Sequence, residues 1–512
     1  MLVKSHVQYV IRQWCLCFSL LMANSVCAET WKIEPAISAT ETYTDNVTLS
    51  SEDKNSEFIS QINPGFSVSA KGRRIKLNGR YSLSYINYWD ATYSDRYVNQ
   101  GGLSANFEFV KRHLDVDAAV AVSEQVIDPT KVTAFDEQAV TNNRTETRSV
   151  LLSPTLKNRF GRYADSLLAY QHSRVGYSTK QINSSYDNLL KYSLSSGKWF
   201  KQLAWSGNAL IQSSKQKNSN KSQVNGRLEY SVVRKWKLFM TGHLQKRNYM
   251  ITGFKDSRYF VKNEIGLVWT PTRKVYLEAG GGVVLNSQAL SQNTLDIEQR
   301  IWRAKIVVNP TSRTLFEIGR EQAIFGQRIY SNFKHYTKKT IWSSTYTETI
   351  VTPQQSRYIA DFEAKAENVN SDDISELSEL NRLISNDVIL RKRLDTSGKI
   401  KRKKLNLIGS VFYEKGEYQT IKKIDNRYGI NGILEFDLSN LSSAFVNSAV
   451  QRYRFDEQSR IDNIVMIKTG FSRNIGKNMK ASLIYSLQKR SVNSGGVAYT
   501  SNKLVAQINL AL

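Results

Sequence analysis

The sequence predicts an all-β fold, a transmembrane antiparallel up-and-down β-barrel of about 16 to 18 strands, with a short helical insertion near 372–386. Long segments alternate between apolar and polar residues with period two, which is typical of strands that separate lipid from water. No stretch approaches the ~20 apolar residues that a transmembrane helix requires. Strands are therefore the elements expected to cross the membrane.

The segment 75–90 shows the alternation most clearly. Its odd positions are mostly apolar and include Tyr81 and Tyr85, whereas its even positions include Lys76 and Arg80. At ~3.3 Å per residue the segment is about 50 Å long, enough to cross a bilayer at a tilt and project beyond it. Soluble sandwiches seldom need strands of this length, which disfavours a soluble periplasmic protein.

The same pattern recurs along the chain. Further predicted strands lie at 58–70, 97–109, 114–122, 224–232, 238–244, 265–269, 275–283, 405–413, 428–438, 444–453, 464–471 and 479–487. Related Pro-Thr segments at 271–280 and 310–319 indicate hairpins joined by short periplasmic turns, and the polar segments 128–147 and 287–298 are predicted as long external connections. The glycine run 280–282 lies within a strand, where it favours close packing of neighbouring backbones or aromatic rings.

The last predicted strand is expected to close the barrel. One face of this segment is apolar and the other is mostly polar or small. Its apolar face consists of Leu504, Ala506, Ile508, Leu510 and Leu512. A final strand of a soluble sandwich is the alternative that the segment alone leaves open.

The N-terminus resembles a secretory signal peptide. Lys4 and Arg12 precede an apolar core at 15–23, and small or tolerated residues then lead to a cleavage site after Ala28. The expected division is a signal peptide at 1–28 and an outer-membrane barrel at 29–512. All the cysteines lie in the signal, namely Cys15, Cys17 and Cys27. The exported chain is thus expected to have no disulfide and no thiolate-bound metal.

The charge balance points to an anionic partner. The chain has 71 Lys and Arg against 45 Asp and Glu, a net charge of +26. Nucleic acid, lipopolysaccharide phosphate and acidic polysaccharide could each supply the anion, and export argues against nucleic acid. The 26 Tyr, 20 Phe and 9 Trp suit aromatic belts at membrane interfaces, so outer-membrane lipid and lipopolysaccharide are expected partners.

One charged region interrupts the strand pattern. The segment 361–404 begins with clustered acids and ends with clustered bases, and it is predicted as a charged helical insertion between strands. Within it, apolar residues recur at helical spacing over 372–386, behind a capping pair of Asp373 and Glu376. A solvated insertion is the preferred interpretation, and a dedicated binding element is the alternative.

No catalytic or cofactor site is predicted. Outside the signal the histidines are His113, His172, His243 and His335, and none has metal-ligand spacing with another. His172 and Ser173 are adjacent in a strand and point to opposite faces, so they cannot form a hydrolytic dyad. We expect no enzyme activity and no cofactor. An outer-membrane hydrolase or other barrel enzyme acting on lipid or polysaccharide is the alternative function.

Three bases are candidate lumen-facing site residues. If the apolar faces of their strands meet lipid, Lys76, Arg80 and Arg227 line the lumen. In a functional interpretation they favour anions, as charged rings do in other pores. In a structural interpretation they pair with lumen acids such as Glu229 or Glu278.

Several short segments resemble a known family. The sequences at 31–35 (Trp-Lys-Ile-Glu-Pro), 42–47 (Thr-Tyr-Thr-Asp-Asn-Val) and 62–66 (Ile-Asn-Pro-Gly-Phe), with the Tyr-rich strand that follows, resemble the opening of the outer-membrane β-barrels associated with PEP-CTERM and exosortase systems. The segment 380–393 resembles the helical interruption and next strand of these barrels. Members lie among exopolysaccharide biosynthesis and export genes, so the resemblance implies a role there. Together with the positive charge of the chain, it makes acidic exopolysaccharide and its export machinery the expected partners. It supplies no functional residues.

Overall fold

The protein is a closed β-barrel. The computed structural model describes residues 30–127, 131, 138–141, 143–179, 182–214, 219–251, 254–290, 293–323, 325–351, 389–418, 423–455 and 459–512. They contain one antiparallel sheet of 24 strands, each paired with the next along the chain. β1 also pairs with β24, from Ala36 opposite Ala511 to Thr44 opposite Lys503. This closure confirms the predicted all-β barrel and leaves no open sheet edge.

The strands are 10 to 19 residues long. Their bounds are β1 Thr30–Thr44, β2 Glu57–Lys71, β3 Ile75–Tyr88, β4 Arg96–Val110, β5 Leu114–Val126, β6 Arg144–Phe160, β7 Ala164–Tyr177, β8 Ser185–Ser196, β9 Leu203–Ser214, β10 Ser219–Val233, β11 Trp236–Ile251, β12 Phe254–Thr272, β13 Val275–Leu290, β14 Asn293–Thr311, β15 Thr314–Ala323, β16 Gly326–Tyr336, β17 Thr340–Val351, β18 Ile389–Lys401, β19 Leu405–Tyr418, β20 Ile424–Asp437, β21 Ser442–Phe455, β22 Arg460–Ile475, β23 Met479–Val492 and β24 Tyr499–Ala511. The described part of the chain contains no helix that is long and apolar enough to cross a membrane.

The two ends of the barrel have different connections. At one end, where β1 starts and β24 finishes, every connection is a turn of two to six residues. These short turns are 72–74, 111–113, 161–163, 197–202, 234–235, 273–274, 312–313, 337–339, 402–404, 438–441 and 476–478. The connections at the other end reach 37 residues, between β17 and β18. In outer-membrane barrels short turns face the periplasm and long connections face the exterior.

The outer surface is apolar, as a lipid-facing surface must be. On β24, Leu504 and Ile508 are 49% and 50% exposed, whereas Lys503 on the opposite face is buried. Exposed aromatic residues gather beside the short turns, where the rings of Trp236 and Trp269 stack with centroids 5.3 Å apart. A closed barrel with an apolar outer surface and aromatic residues at its edge is the architecture of outer-membrane proteins. The protein is an outer-membrane β-barrel.

The predicted count of about 16 to 18 strands is wrong, because several lipid-facing surfaces carry few large apolar residues. The outer face of β17 includes Ser344 and Glu348, and that of β9 includes Gly207 and Ala209. Such residues weaken the period-two pattern without preventing backbone pairing, which depends on the ladder rather than on side-chain size.

One segment predicted as a connection is largely strand, and two others are strand in part. The segment 287–298 lies in β13 and β14 except for 291–292. Part of the predicted insertion 361–404 is β18, where basic residues on the inner face are paired with acids of β18 and β19. The predicted helix at 372–386 lies outside the described residues. The predicted connection at 128–147 ends earlier than expected, because β6 begins at Arg144.

The connection from β1 to β2 folds against the inside of the barrel. Val47 is fully buried in a cluster that includes Ile59 and Ile86, and Leu49 packs with Ala139 and Tyr499. This end of the barrel therefore contains a small apolar core inside the wall, and the connection covers the first strands and the last.

Candidate functional site

The inner face of β2 and β3 carries bases without acidic partners. Lys76 lies directly opposite Lys71, and Arg80 lies opposite Ser67. All three bases are exposed, and no described acid forms a salt bridge with any of them. We call Lys71, Lys76 and Arg80 the basic strip.

The basic strip is electrostatically unfavourable by itself. Like charges directly opposite each other on paired strands destabilise a sheet. The acid on the neighbouring strand, Glu34 of β1, is bound by Lys32 at 2.5 Å. An anion in the barrel interior would therefore be attracted to the strip, which solvent can reach.

Arg227, the third predicted base, is paired. It lies on the inner face of β10, and its Nε donates a hydrogen bond to Glu229 Oε1 at 2.7 Å. Its Nη2 donates to Glu278 Oε2 of β13 at 2.9 Å. These are the partners that the structural interpretation named. The positive charge of Arg227 is therefore neutralised by carboxylates of the barrel wall.

The pairing of Arg227 extends across the wall of the barrel. Arg303 of β14 bridges Glu278, at 2.8 Å, and Glu264, at 3.1 Å. Glu264 also contacts Lys262 at 3.4 Å. We call Arg227, Glu229, Lys262, Glu264, Glu278 and Arg303 the acid–base wall. With three bases and three acids, it offers little net attraction to an anion.

An aromatic ring lies beneath the acid–base wall. Phe239 is 1% exposed, and the guanidinium carbons of Arg227 and Arg303 lie 4.5 and 5.6 Å from its ring centroid. A Cβ at Gly266 or Gly280 would stand 2.5 or 2.8 Å from Phe239 Cζ. The two glycines therefore make room for the ring, which confirms the packing role predicted for the glycine run. The ring and its two cations hold the wall in one geometry.

A second group on β18 to β20 repeats this construction. Arg393 bonds Asp395 at 2.5 Å and Glu414 at 3.0 Å. Its guanidinium lies 5.3 Å from the Phe412 ring, and a Cβ at Gly429 would stand 2.7 Å from that ring. An aromatic ring over a glycine, covered by a paired arginine, is thus a recurrent feature of the inner wall.

The connection from β5 to β6 is attached inside the barrel. Gln138 donates to Thr42 Oγ1 at 2.8 Å, and its carbonyl accepts a hydrogen bond from the Tyr88 hydroxyl at 2.7 Å. Arg490, fully buried on β23, donates to the carbonyl of Lys131 and also to Asp462 at 2.6 Å. Described parts of this connection therefore lie against the inner faces of the first and last strands.

The described histidines make structural contacts. His172 Nδ1 lies 2.8 Å from Asn188 Oδ1. The ring of His243 packs edge-on against Phe260, with centroids 5.5 Å apart. Within the described residues no group of three or more His, Cys, Asp or Glu side chains could hold a metal ion.

Sequence reasoning missed most of the inner wall. It named Arg227, Glu229 and Glu278 but not Phe239 or Arg303. Arg303 lies on β14, which was not assigned as a strand. Phe239 breaks the rule that inner faces are polar, and only the glycines of the neighbouring strands could have indicated a buried ring there.

Comparisons with known proteins give a likeness of barrels alone. No protein-family model matches the chain, and no curated protein matches its sequence. The FrpB iron transporter from Neisseria meningitidis (F3-3 variant) is 9% identical, with a TM-score of 0.44, 94% of this chain covered and 81% of that chain. The siderophore receptor PirA from Acinetobacter baumannii is 8% identical, with a TM-score of 0.40 and coverages of 94% and 81%. P. aeruginosa FpvA, solved with a pyoverdine–iron complex, is 9% identical, with a TM-score of 0.42 and coverages of 94% and 72%. At these values the likeness carries no conclusion about what this chain binds.

Proposed function

We propose that this outer-membrane barrel serves an exopolysaccharide or PEP-CTERM/exosortase sorting system, as a conduit or structural partner for an anionic polymer. The observation that carries the proposal is the basic strip, where Lys71 and Lys76 face each other without an acid. The bases of the acid–base wall are neutralised by their acidic partners and therefore attract an anion only weakly. The resemblance of the N-terminal segments to exopolysaccharide-locus barrels supports the choice of polymer.

Ion selectivity of the purified barrel in a planar bilayer tests the proposal. We expect reversal potentials that indicate a preference for anions, and a smaller preference after Lys76→Gln combined with Arg80→Gln. Lys489→Gln, an exposed base of β23, is the matched control and should leave the reversal potential unchanged. Cation selectivity, or equal reversal potentials for all three proteins, would contradict the proposal.

Polymer binding tests whether the barrel recognises an acidic polymer by its charge. Polygalacturonate, an acidic polysaccharide, should reduce the current or co-sediment with the barrel, and neutral dextran of the same length should not. The same double variant should weaken the effect of polygalacturonate. An equal response to both polymers would exclude recognition by charge.

A further inference from the structure

The short turns carry charge of a single sign. The eleven turns contain eighteen Lys and Arg and no Asp or Glu, and ten of the eleven have at least one base. All eighteen side chains are exposed. Turn 402–404 alone has three, and only turn 438–441 has none. We call these eighteen residues the basic ring.

Acids near this end do not neutralise the basic ring. Asp115 is paired with Lys157, and Asp165 bonds Arg159 at 2.7 Å. Each of these acids is matched by a base within the strands themselves. Glu108 contacts a turn through its Oε1, which accepts a hydrogen bond from the backbone N–H of Arg112 at 2.7 Å. No salt bridge among the described residues involves a base of the turns.

The connections at the other end of the barrel are net acidic, with eighteen Asp and Glu against ten Lys and Arg in the twelve connections together. The connections 45–56 and 89–95 contain five Asp and Glu and one Lys. The segment 352–388 contains eight Asp and Glu and three Lys and Arg. Basic residues are therefore concentrated in the short turns, and acidic residues in the connections at the other end. The overall positive charge of the chain does not by itself explain the basic ring.

Aromatic residues on the outer surface lie directly beside the basic ring. Trp199 is 54% exposed, and the guanidinium of Arg162 lies 4.9 Å from the centroid of its ring. Trp236 follows turn 234–235, and its stacking partner Trp269 precedes turn 273–274. Exposed Trp residues of membrane proteins mark the level of the lipid headgroups. The turn bases are thus at or just beyond the headgroup level.

We propose that the basic ring binds the anionic headgroups of the phospholipid leaflet at the short-turn end. The bases occur in turns all round the barrel, as a surrounding leaflet requires, whereas a docked protein would need them on one sector. A base near an anionic membrane surface contributes about 1 kcal/mol, equivalent to about a fivefold preference for an anionic over a neutral lipid. Such a ring would fix the depth of the barrel in the membrane.

Quenching of tryptophan fluorescence by brominated lipids tests this proposal. Six of the eight Trp outside the predicted signal lie near the short turns, so intrinsic fluorescence reports mainly on this end. The barrel is reconstituted in phosphatidylcholine bilayers that contain brominated phosphatidylglycerol or brominated phosphatidylcholine. We expect the anionic lipid to occupy the sites beside these Trp about fivefold more strongly at low salt. The preference should disappear in 1 M salt, where the Debye length is about 3 Å.

A local variant identifies the bases responsible. Arg234, Lys235, Arg273 and Lys274 adjoin the stacked Trp236–Trp269 pair, and all four are changed to Gln. The control changes Lys54 and Lys489, exposed at the other end, to Gln. The preference should fall in the first variant and persist in the control.

Quenching of the wild-type barrel by the two brominated lipids tests the proposal even if the quadruple variant does not fold. Equal quenching by the two lipids at low salt overturns it and indicates that the ring serves an acidic protein or polymer instead. A preference that is undiminished in a folded quadruple variant also overturns it.

Discussion

The closing strand offers a sharp test of register through Ile508→Lys. Ile508 is 50% exposed on the outer face of β24 and lies opposite Ala39 of β1 and Ala481 of β23. On the outer face of β1, Trp31 and Tyr43 are the aromatic residues that flank Ala39. At ~3.3 Å per residue they lie about 26 and 13 Å from it along the strand. Ile508 is therefore within the apolar band, away from either interface.

The depth of Ile508 sets the size of the effect. A Lys on the lipid face costs about 2 to 4 kcal/mol at mid-bilayer and about 0 to 1 kcal/mol near the interfaces. We expect about 2 kcal/mol for Ile508→Lys. The matched change Gln507→Lys places the same charge on the inner face, between Thr40 and Ser482. It should cost no more than about 0.5 kcal/mol, because the new side chain extends into the interior.

Urea unfolding of the barrel refolded into lipid vesicles measures both changes. The free energy of unfolding should fall for Ile508→Lys and remain near the wild-type value for Gln507→Lys. Heat-modifiable migration on detergent gels reports whether each variant assembles. Equal destabilisation by the two substitutions, or a larger loss for Gln507→Lys, would refute the assigned faces.

Two further predictions concern processing and the inner wall. Cleavage after Ala28 should leave Glu29 at the N-terminus of the mature protein, which mass spectrometry of the outer-membrane fraction can read, and recovery of Met1 there would contradict it. Gly280→Val should destabilise the barrel by about 1 to 3 kcal/mol, because its Cβ would stand 2.8 Å from Phe239 Cζ. Gly281→Ala on the outer face, where the nearest atom is 3.5 Å away, should have little effect in the same unfolding assay.

The sequence predicts strands well where both faces obey the alternation. Segment 75–90 corresponds to β3, Ile75–Tyr88, and the turn at 111–113 has the predicted bounds. β17 was missed, and β18 was indicated only by the family resemblance of 380–393, because the outer faces of both strands mix large apolar residues with Ser344, Glu348 and Lys392. Every strand of a barrel wall must be hydrogen-bonded to its neighbours through the backbone. Such pairing forms even where the apolar and polar side chains alternate poorly.

The candidate site was predictable only in part. Period two is enough to assign Lys76, Arg80 and Arg227 to one face of their strands. The alternation does not say which base contacts an acid, since that depends on side chains as far as three strands away. Arg227 reaches Glu278 on β13, whereas Lys76 faces Lys71. Arg227 is paired and Lys76 is not because of how the strands are aligned with one another around the barrel. The alternation within a single strand does not specify that alignment.

Cysteine accessibility along β3 tests most directly the central claim that one face of the wall meets lipid and the other lines a water-filled basic interior. Because the cysteines of the chain all lie within the predicted signal, single Cys substitutions at Asn78, Arg80, Ser82, Tyr81 and Leu83 give an unambiguous readout. A charged, membrane-impermeant thiol reagent should modify the Cys at 78, 80 and 82, and a lipid-soluble reagent should modify those at 81 and 83. Modification that does not alternate, or that alternates with the opposite phase, would contradict the account.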